Sequence, residues 1–166
     1  RLEELAENML TAMQIESNAY QYNLSPVDYS NLVDKVINNQ QIKGQISAEV
    51  EPDIVVEGDD FILRMVVNNL IENAFKYSNN QPIEVSLTKD QKWKRLSIKD
   101  QGIGLKKEDY KNIFKKFYRV QDEETRVSKG TGLGLFIVKQ AVEKHSGKVF
   151  VSANADKGST FTILLP

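Results

Sequence analysis

The sequence predicts an α/β two-layer sandwich: a mixed, largely antiparallel sheet covered on one face by helices. Three observations carry that reading. "PIEVSLTKD" (82–90) and "KWKRLSIKD" (92–100) alternate apolar and polar residues as half-buried strands do, and a short polar turn joins them as a hairpin. The closing "GKVFVSANADKGSTFTILLP" (147–166) reads as a second hairpin. Segments at about 60–78 and about 131–145 repeat apolar residues with the period of a helix. One apolar helix face laid on one apolar sheet face closes a two-layer core. The 166 residues suffice for one such domain with a short appendage.

The elements follow in order. In "RLEELAENML" and the residues after it, Leu2, Leu5, Met9 and Ala12 recur at alternating three- and four-residue steps. That is either a heptad-like seam or a plain amphipathic helix, and both need a partner surface. The chain opens with no initiator Met and no signal-peptide pattern, as expected of a piece of a longer protein. In "SPVDYSNLVDKVINNQ" (25–40), Ser25 is expected as N-cap and Pro26 at the first helical position, with Leu32, Val33, Val36 and Ile37 at helical spacing. "QISAEVE" (45–51) reads as a short strand ended by Pro52. Asp59 or Asp60 caps the long helix, which turns Leu63, Val67, Leu70, Ile71 and Ala74 towards the sheet. Ile83, Val85 and Leu87 share one face of the first hairpin with Leu96 and Ile98, and Asp100 falls on that apolar parity too. The stretch 105–130 is polar and Lys-rich, with a short helical piece "KKEDYKNIF" followed by "DEETRVSKG". The last helix ends at His145, with Gly147 as its stop.

Composition removes several function classes. Lys plus Arg total 22 against 23 Asp plus Glu, a formal net charge of −1, so no nucleic-acid partner is expected. With no cysteine there is neither a disulfide nor a thiolate metal site. No apolar run reaches the roughly 20 residues that span a bilayer.

Four constellations remain. In "NLIENAFKYS" (69–78), Asn69, Asn73 and Lys76 fall within about 60° of one another opposite the apolar face, with Glu72 and Tyr77 flanking. Such a face is ordinarily just solvated. It also suits Mg²⁺, which takes hard oxygens such as an Asn carbonyl together with phosphate oxygens, and a Lys one turn away adds point charge. In "DQGIG" (100–104), a carboxylate on the buried parity is either a strand-ending Asp that reaches water or one that needs a donor, such as the amine of adenine. Gly102 and Gly104 allow a sharp turn beside it. "KGTGLGLFIV" (129–138) runs three glycines into a helix, placing bare N–H groups at a positive helix end without being a Walker loop. "NIFKKFYRV" (112–120) mixes Phe114, Phe117 and Tyr118 with Lys115, Lys116 and Arg119, either as a helix pinned by aromatics or as a latch carrying Arg119 towards phosphate.

Taken together and in this order, these motifs resemble the catalytic and ATP-binding domain of sensor histidine kinases. That superfamily includes type II topoisomerase, mismatch-repair and heat-shock chaperone ATPases, and its fold is the Bergerat type. "NLIENAFKYS" resembles the N box, "DQGIG" the first Gly box, "IFKKFYR" the F box, "GTGLGL" the second Gly box and "GSTF" (158–161) the last Gly/Thr motif. The likeness covers residues 19–166, while 1–18 resemble the end of the dimerisation and phosphoacceptor hairpin.

The resemblance implies ATP and Mg²⁺ as cofactors. It assigns Asn73 to the metal, Asn69 and Lys76 to phosphates, and Tyr77 to the adenine. It has Asp100 accept from the adenine amine with Thr160 assisting through water, beside Gly102, Ile103 and Gly104. Gly130, Thr131, Gly132, Leu133 and Gly134 form the phosphate loop, Tyr118 lies close by, and Lys76 and Arg119 act on the phosphate being transferred. The stretch 105–130 becomes a lid. Hydrolytic relatives carry a Glu where this chain has Asn69, and an Asn cannot take a proton from water. The family's acceptor is a His followed by an acid; the sole histidine here, His145 in "EKHSGK", lacks that neighbour, so the acceptor is expected outside the chain. The implied partners are that hairpin, a response-regulator receiver domain and a second copy at full length. The implied setting is the cytoplasmic part of a membrane-bound sensor. An ATPase of the same superfamily, a related serine kinase and a non-catalytic relative are the alternatives; Asn69, the hairpin-like start and the full set of motifs weigh against them in turn.

Overall fold

The computed structural model describes residues 2–40, 45–78, 81–120 and 131–166, apart from the side chains of Glu4, Leu5 and Asn8. Helix α1 (Leu2–Glu16) lies against the last helix and buries Ala12 and Ile15, while Leu2, Met9, Leu10 and Met13 remain exposed. The chain then turns at Asn18, whose φ is 54°.

Ser25 does not cap the next helix. Strand β1 (Ser25–Asp28) pairs antiparallel with β3 (Val55–Gly58), setting buried Val27 opposite buried Val56. Asp28 is the N-cap instead, its carboxylate accepting from the Asn31 N–H at 3.0 Å, and α2 (Tyr29–Asn39) follows. Pro26 fits this small sheet because only two strands pair there and a missing N–H is tolerated at an edge.

The main sheet has five strands in the order β2-β4-β5-β7-β6, with β2 (Ile46–Val50), β4 (Ile83–Lys89), β5 (Lys94–Lys99), β6 (Lys148–Ala153) and β7 (Ser159–Leu165). Only β2 and β4 run parallel; the other neighbours are antiparallel hairpins or returns. A parallel pair needs a crossover, and α3 (Asp60–Tyr77) is part of it. Asp59 is its N-cap, accepting from the Ile62 N–H at 3.2 Å, whereas Asp60 sits in the first turn and pairs with Arg64. Leu63, Val67, Leu70, Ile71 and Ala74 are all buried, as their spacing required.

Helix α4 (Gly134–Lys144) starts three residues later than its apolar run suggests, with Leu133 ahead of it. It ends at buried His145, and the left-handed residue there is Ser146 (φ 56°), with the Gly147 N–H closing on the Val142 carbonyl at 2.9 Å. The His145 imidazole joins two helices. Nδ1–H donates to the Ala141 carbonyl at 2.7 Å, and Nε2 accepts from the Asp59 N–H at 3.0 Å, the donor just ahead of α3.

Candidate functional site

The polar face of α3 meets the end of β5 at an apolar cavity. Its walls come from Asn73 and Tyr77 of α3, from Asp100, Ile103, Gly104 and Leu105, from Ile113 and Tyr118 to Val120, from Leu135 of α4, and from Ser159 and Phe161 of β7. Phe114 packs edge-on against Phe161 behind it. Among the described residues, Asp100 is the one carboxylate on this wall.

Asp100 is held on three sides. Its main-chain N–H donates to the Ser159 carbonyl at 2.9 Å, while Oδ1 accepts from the N–H groups of Gly102 (2.8 Å) and Ser159 (3.3 Å). Oδ2 carries no hydrogen bond among the described residues. Burial raises the pKa of this carboxyl above the ordinary range, and the two N–H groups pull it partly back. The turn before β7 approaches so closely that a Cβ on Gly158 (φ +87°) would lie 2.1 Å from the Asp100 carbonyl oxygen.

The glycine-rich segment is pinned to the aromatic one. The Phe117 N–H donates to the Gly132 carbonyl at 3.1 Å, and a Cβ on Gly132 (φ +71°) would stand 2.9 Å from the Phe117 backbone. Phe117 itself adopts φ 63°, uncommon for an aromatic residue, with its ring exposed. The Tyr118 hydroxyl donates to Asp109 at 2.7 Å, which raises its pKa, and Arg119 beside it lines the cavity. Gly134 opens α4 directly against Asn69: a Cβ there would be 2.8 Å from the Asn69 Oδ1, while Nδ2 donates to the Met65 carbonyl.

A family profile described as "Histidine kinase-, DNA gyrase B-, and HSP90-like ATPase" matches residues 58–166. The chain belongs to this ATPase family. Its whole length aligns at 30% identity with the sensor histidine kinase WalK of Bacillus subtilis (strain 168), of which it spans 28%. A mycobacterial sensor histidine kinase, MprB, superposes with a TM-score of 0.72 at 32% identity, covering 86% of this chain and 97% of that one. Full-length ShkA in complex with AMPPNP gives 0.82 at 25% identity over 99% of this chain and 35% of its own. The chain thus spans less than half the length of these curated WalK relatives, 28% of one and 42% of another.

This histidine kinase-like ATPase domain gathers Asn73, Tyr77, Asp100, Ile103, Gly104, Tyr118 and Arg119 around one cavity. It does not bring in Lys76, whose Nζ sits 5.0 Å from the centre of the Tyr77 ring in an adjoining open groove; Tyr77 and Ile103 form the shared wall, and Gly102 lines the groove alone. Leu133 is buried as packing, Thr131 accepts from the Leu133 N–H at 3.4 Å, and Gly130 and the rest of the expected lid at 121–130 lie outside the described residues.

Thr160 needs correction. Its strand parity puts it opposite Lys99, on the face of the sheet away from the cavity, where its hydroxyl donates to Asn154 Oδ1 at 2.6 Å. Ser159 occupies the wall instead. The sequence held the signal for this: Ser159 shares its parity with the apolar Phe161 and Ile163, Thr160 with Thr162. Leu105, Ile113 and Leu135 also escaped the sequence reading, because apolar cavity walls look like core.

Proposed function

We propose that this chain is the ATP-binding core of a sensor histidine kinase, which transfers the γ-phosphate of ATP to a histidine on a dimerisation helix outside the chain. The observation that carries the reading is Asp100: a buried carboxylate in the wall of an apolar slot, with one oxygen held by two backbone N–H groups and the other without a hydrogen bond among the described residues. That arrangement suits a flat base bearing an exocyclic amine. Tyr77, Ile103 and Leu105 offer the faces that sandwich the ring, and Ser159 takes over the water-mediated contact expected of Thr160.

The remaining residues fit a triphosphate with Mg²⁺. Among the described residues no group of three or more His, Cys, Asp or Glu could hold an ion unaided. Asn73, on the cavity wall, is suited to be the protein's neutral oxygen ligand while phosphates and water fill the other positions. When bound, the ion supplies charge that offsets the phosphates. The α4 N-terminus, with Gly132 before it and Gly134 as its first residue, suits phosphate through its helix-end N–H groups, and Arg119 on the cavity wall is suited to the outgoing phosphoryl oxygens. Lys76 reaches the phosphates only by leaving the Tyr77 ring. Asn69 cannot serve as base for water, and its amide is tied to Met65, which favours transfer to a protein over hydrolysis.

On this reading residues 1–18 end the acceptor hairpin and 19–166 form the catalytic domain. A response-regulator receiver takes the phosphate onward, the full-length protein is a homodimer, and the domain works in the cytoplasm beneath a membrane-bound sensor. No helix among the described residues is long and apolar enough to cross a membrane. The test is radiolabelled ATP mixed with this chain and a separately made acceptor hairpin. Label on the hairpin histidine is the expected result; steady release of free phosphate with no label on the hairpin would make the protein a hydrolase.

A further inference from the structure

We propose that Asn154, which does not touch the nucleotide cavity, is the positioning residue that sets Asp100 for adenine. The inference rests on the assignment of Asp100 to the adenine amine.

Asn154 follows β6, on the open-groove side of the sheet end, with Ala155, Asp156 and Lys157 beside it in the groove wall. Both ends of its side-chain amide are engaged. Nδ2 donates to the Asp100 carbonyl at 2.7 Å and to the Lys157 carbonyl at 3.0 Å, and Oδ1 accepts from the Thr160 hydroxyl at 2.6 Å. Its main-chain N–H donates to the Gly158 carbonyl at 3.1 Å. One side chain thus closes the β6–β7 turn on itself and ties it to the end of β5, 54 residues away.

The geometry makes this tie relevant to the base and not only to the fold. The Ser159 N–H that steadies Asp100 Oδ1 follows Gly158, and the Gly158 turn rests on the Asp100 carbonyl that Asn154 holds. The carboxylate can turn about its own bonds, and the Gly102 and Ser159 N–H groups on Oδ1 are what fix where its other oxygen lies. Of these, the longer bond, 3.3 Å to Ser159, depends on where the turn sits. Loosening the turn releases that bond first and lets Oδ2 swing away from a donor in the slot. The apolar walls, supplied by Tyr77, Ile103, Leu105 and Phe161, do not depend on it.

The discriminating ligand is one that keeps everything but the amine. Binding of ATP and of purine riboside triphosphate, which lacks the 6-amino group, is measured by calorimetry for wild type, Asn154→Asp, Thr160→Val and Asp100→Asn. Asn154→Asp keeps the acceptor for Thr160 but replaces the donor with an oxygen facing two carbonyls. Wild type should prefer ATP by about tenfold or more, the worth of a hydrogen bond to a charged group. Asn154→Asp should lose most of that preference by weakening ATP alone, while the amine-free analogue changes less than about twofold. Adding Asn154→Asp to Asp100→Asn should cost nothing further in ATP affinity. Equal weakening of both nucleotides would overturn the proposal and leave Asn154 with a structural role. Should Asn154→Asp fail to fold, Thr160→Val, which frees only the acceptor end of the amide, must still lower the ATP preference; an unchanged preference there overturns the proposal as well. A wild type that binds both nucleotides equally well would instead sink the assignment of Asp100 to adenine, and this inference with it.

Discussion

At the scale of single residues, Asp100 sets function against stability. Its pKa is raised in the folded state, so the unfolded chain gives up this proton at a lower pH than the folded one does. Above the ordinary carboxylate range the ionised group therefore opposes folding, and stability from this site falls as pH rises through the raised value. Asp100→Asn keeps an acceptor for Gly102 and Ser159 and removes the charge. It should melt no lower than wild type at neutral pH, yet bind ATP more weakly by about 1–3 kcal/mol. A lower melting temperature with undiminished ATP affinity would assign Asp100 to the fold. Asn73→Ala should weaken Mg·ATP far more than metal-free ADP, since it removes the neutral oxygen ligand and little else; equal losses in calorimetry would rule the metal role out. Asp100, Tyr77 and Asn73 were legible because a motif marks each of them. Ser159 was hidden by its neighbour Thr160, the more conspicuous hydroxyl, although counting strand parity back from Phe161 separates the two. Asn154 could not be read at all, because its role depends on contacts with Asp100 and Thr160 that only the folded chain makes.

At the scale of elements, the buried imidazole between α3 and α4 is the tie most exposed to substitution. His145 bonds one helix end through each nitrogen, and Tyr22 packs edge-on against its ring. His145→Ala should cost about 2–4 kcal/mol, from a cavity plus an unpaired Asp59 N–H, in denaturant unfolding. A loss under about 1 kcal/mol would mean that water replaces both bonds. The same geometry weighs against this histidine as a phosphate acceptor: it is buried and both nitrogens are engaged. The long helix and both hairpins of the main sheet were readable because amphipathic period and burial agree over many residues. The small sheet was not, since β1 and β3 have four residues each and are specified by each other more than by their own patterns. There Asp28 outcompeted Ser25 as a cap, because Val27 had a strand partner to bury against.

At the scale of the whole molecule, the proposed function makes this chain the catalytic half of a reaction whose acceptor lies on another segment. The chain should bind Mg·ATP, leave itself unlabelled and release phosphate very slowly. Fusing the acceptor hairpin to residue 1 should give faster transfer than supplying it in trans, because tethering raises effective concentration. Arg119→Ala should lower that transfer with little change in ATP affinity, as expected of a contact made to the group in flight. Label on His145, or full transfer by the Arg119 variant, would overturn the assignment. The end of α1 touches the aromatic segment, where Glu16 pairs with Lys116, and the turn after it meets α4, where the Lys144 ammonium donates to Asn18 Oδ1 at 2.8 Å.

The last strand of the chain lies in the interior of the sheet, between β5 and β6, and it carries Ser159 and Phe161 into the cavity. Until β7 is laid down, Asp100 has no backbone partner on that side and the slot has no far wall. During synthesis the domain should therefore stay blind to ATP until β7 has left the ribosome. A chain arrested at Ala155 should fail to retain nucleotide, however well its α3 forms, whereas one that includes β7 should hold it.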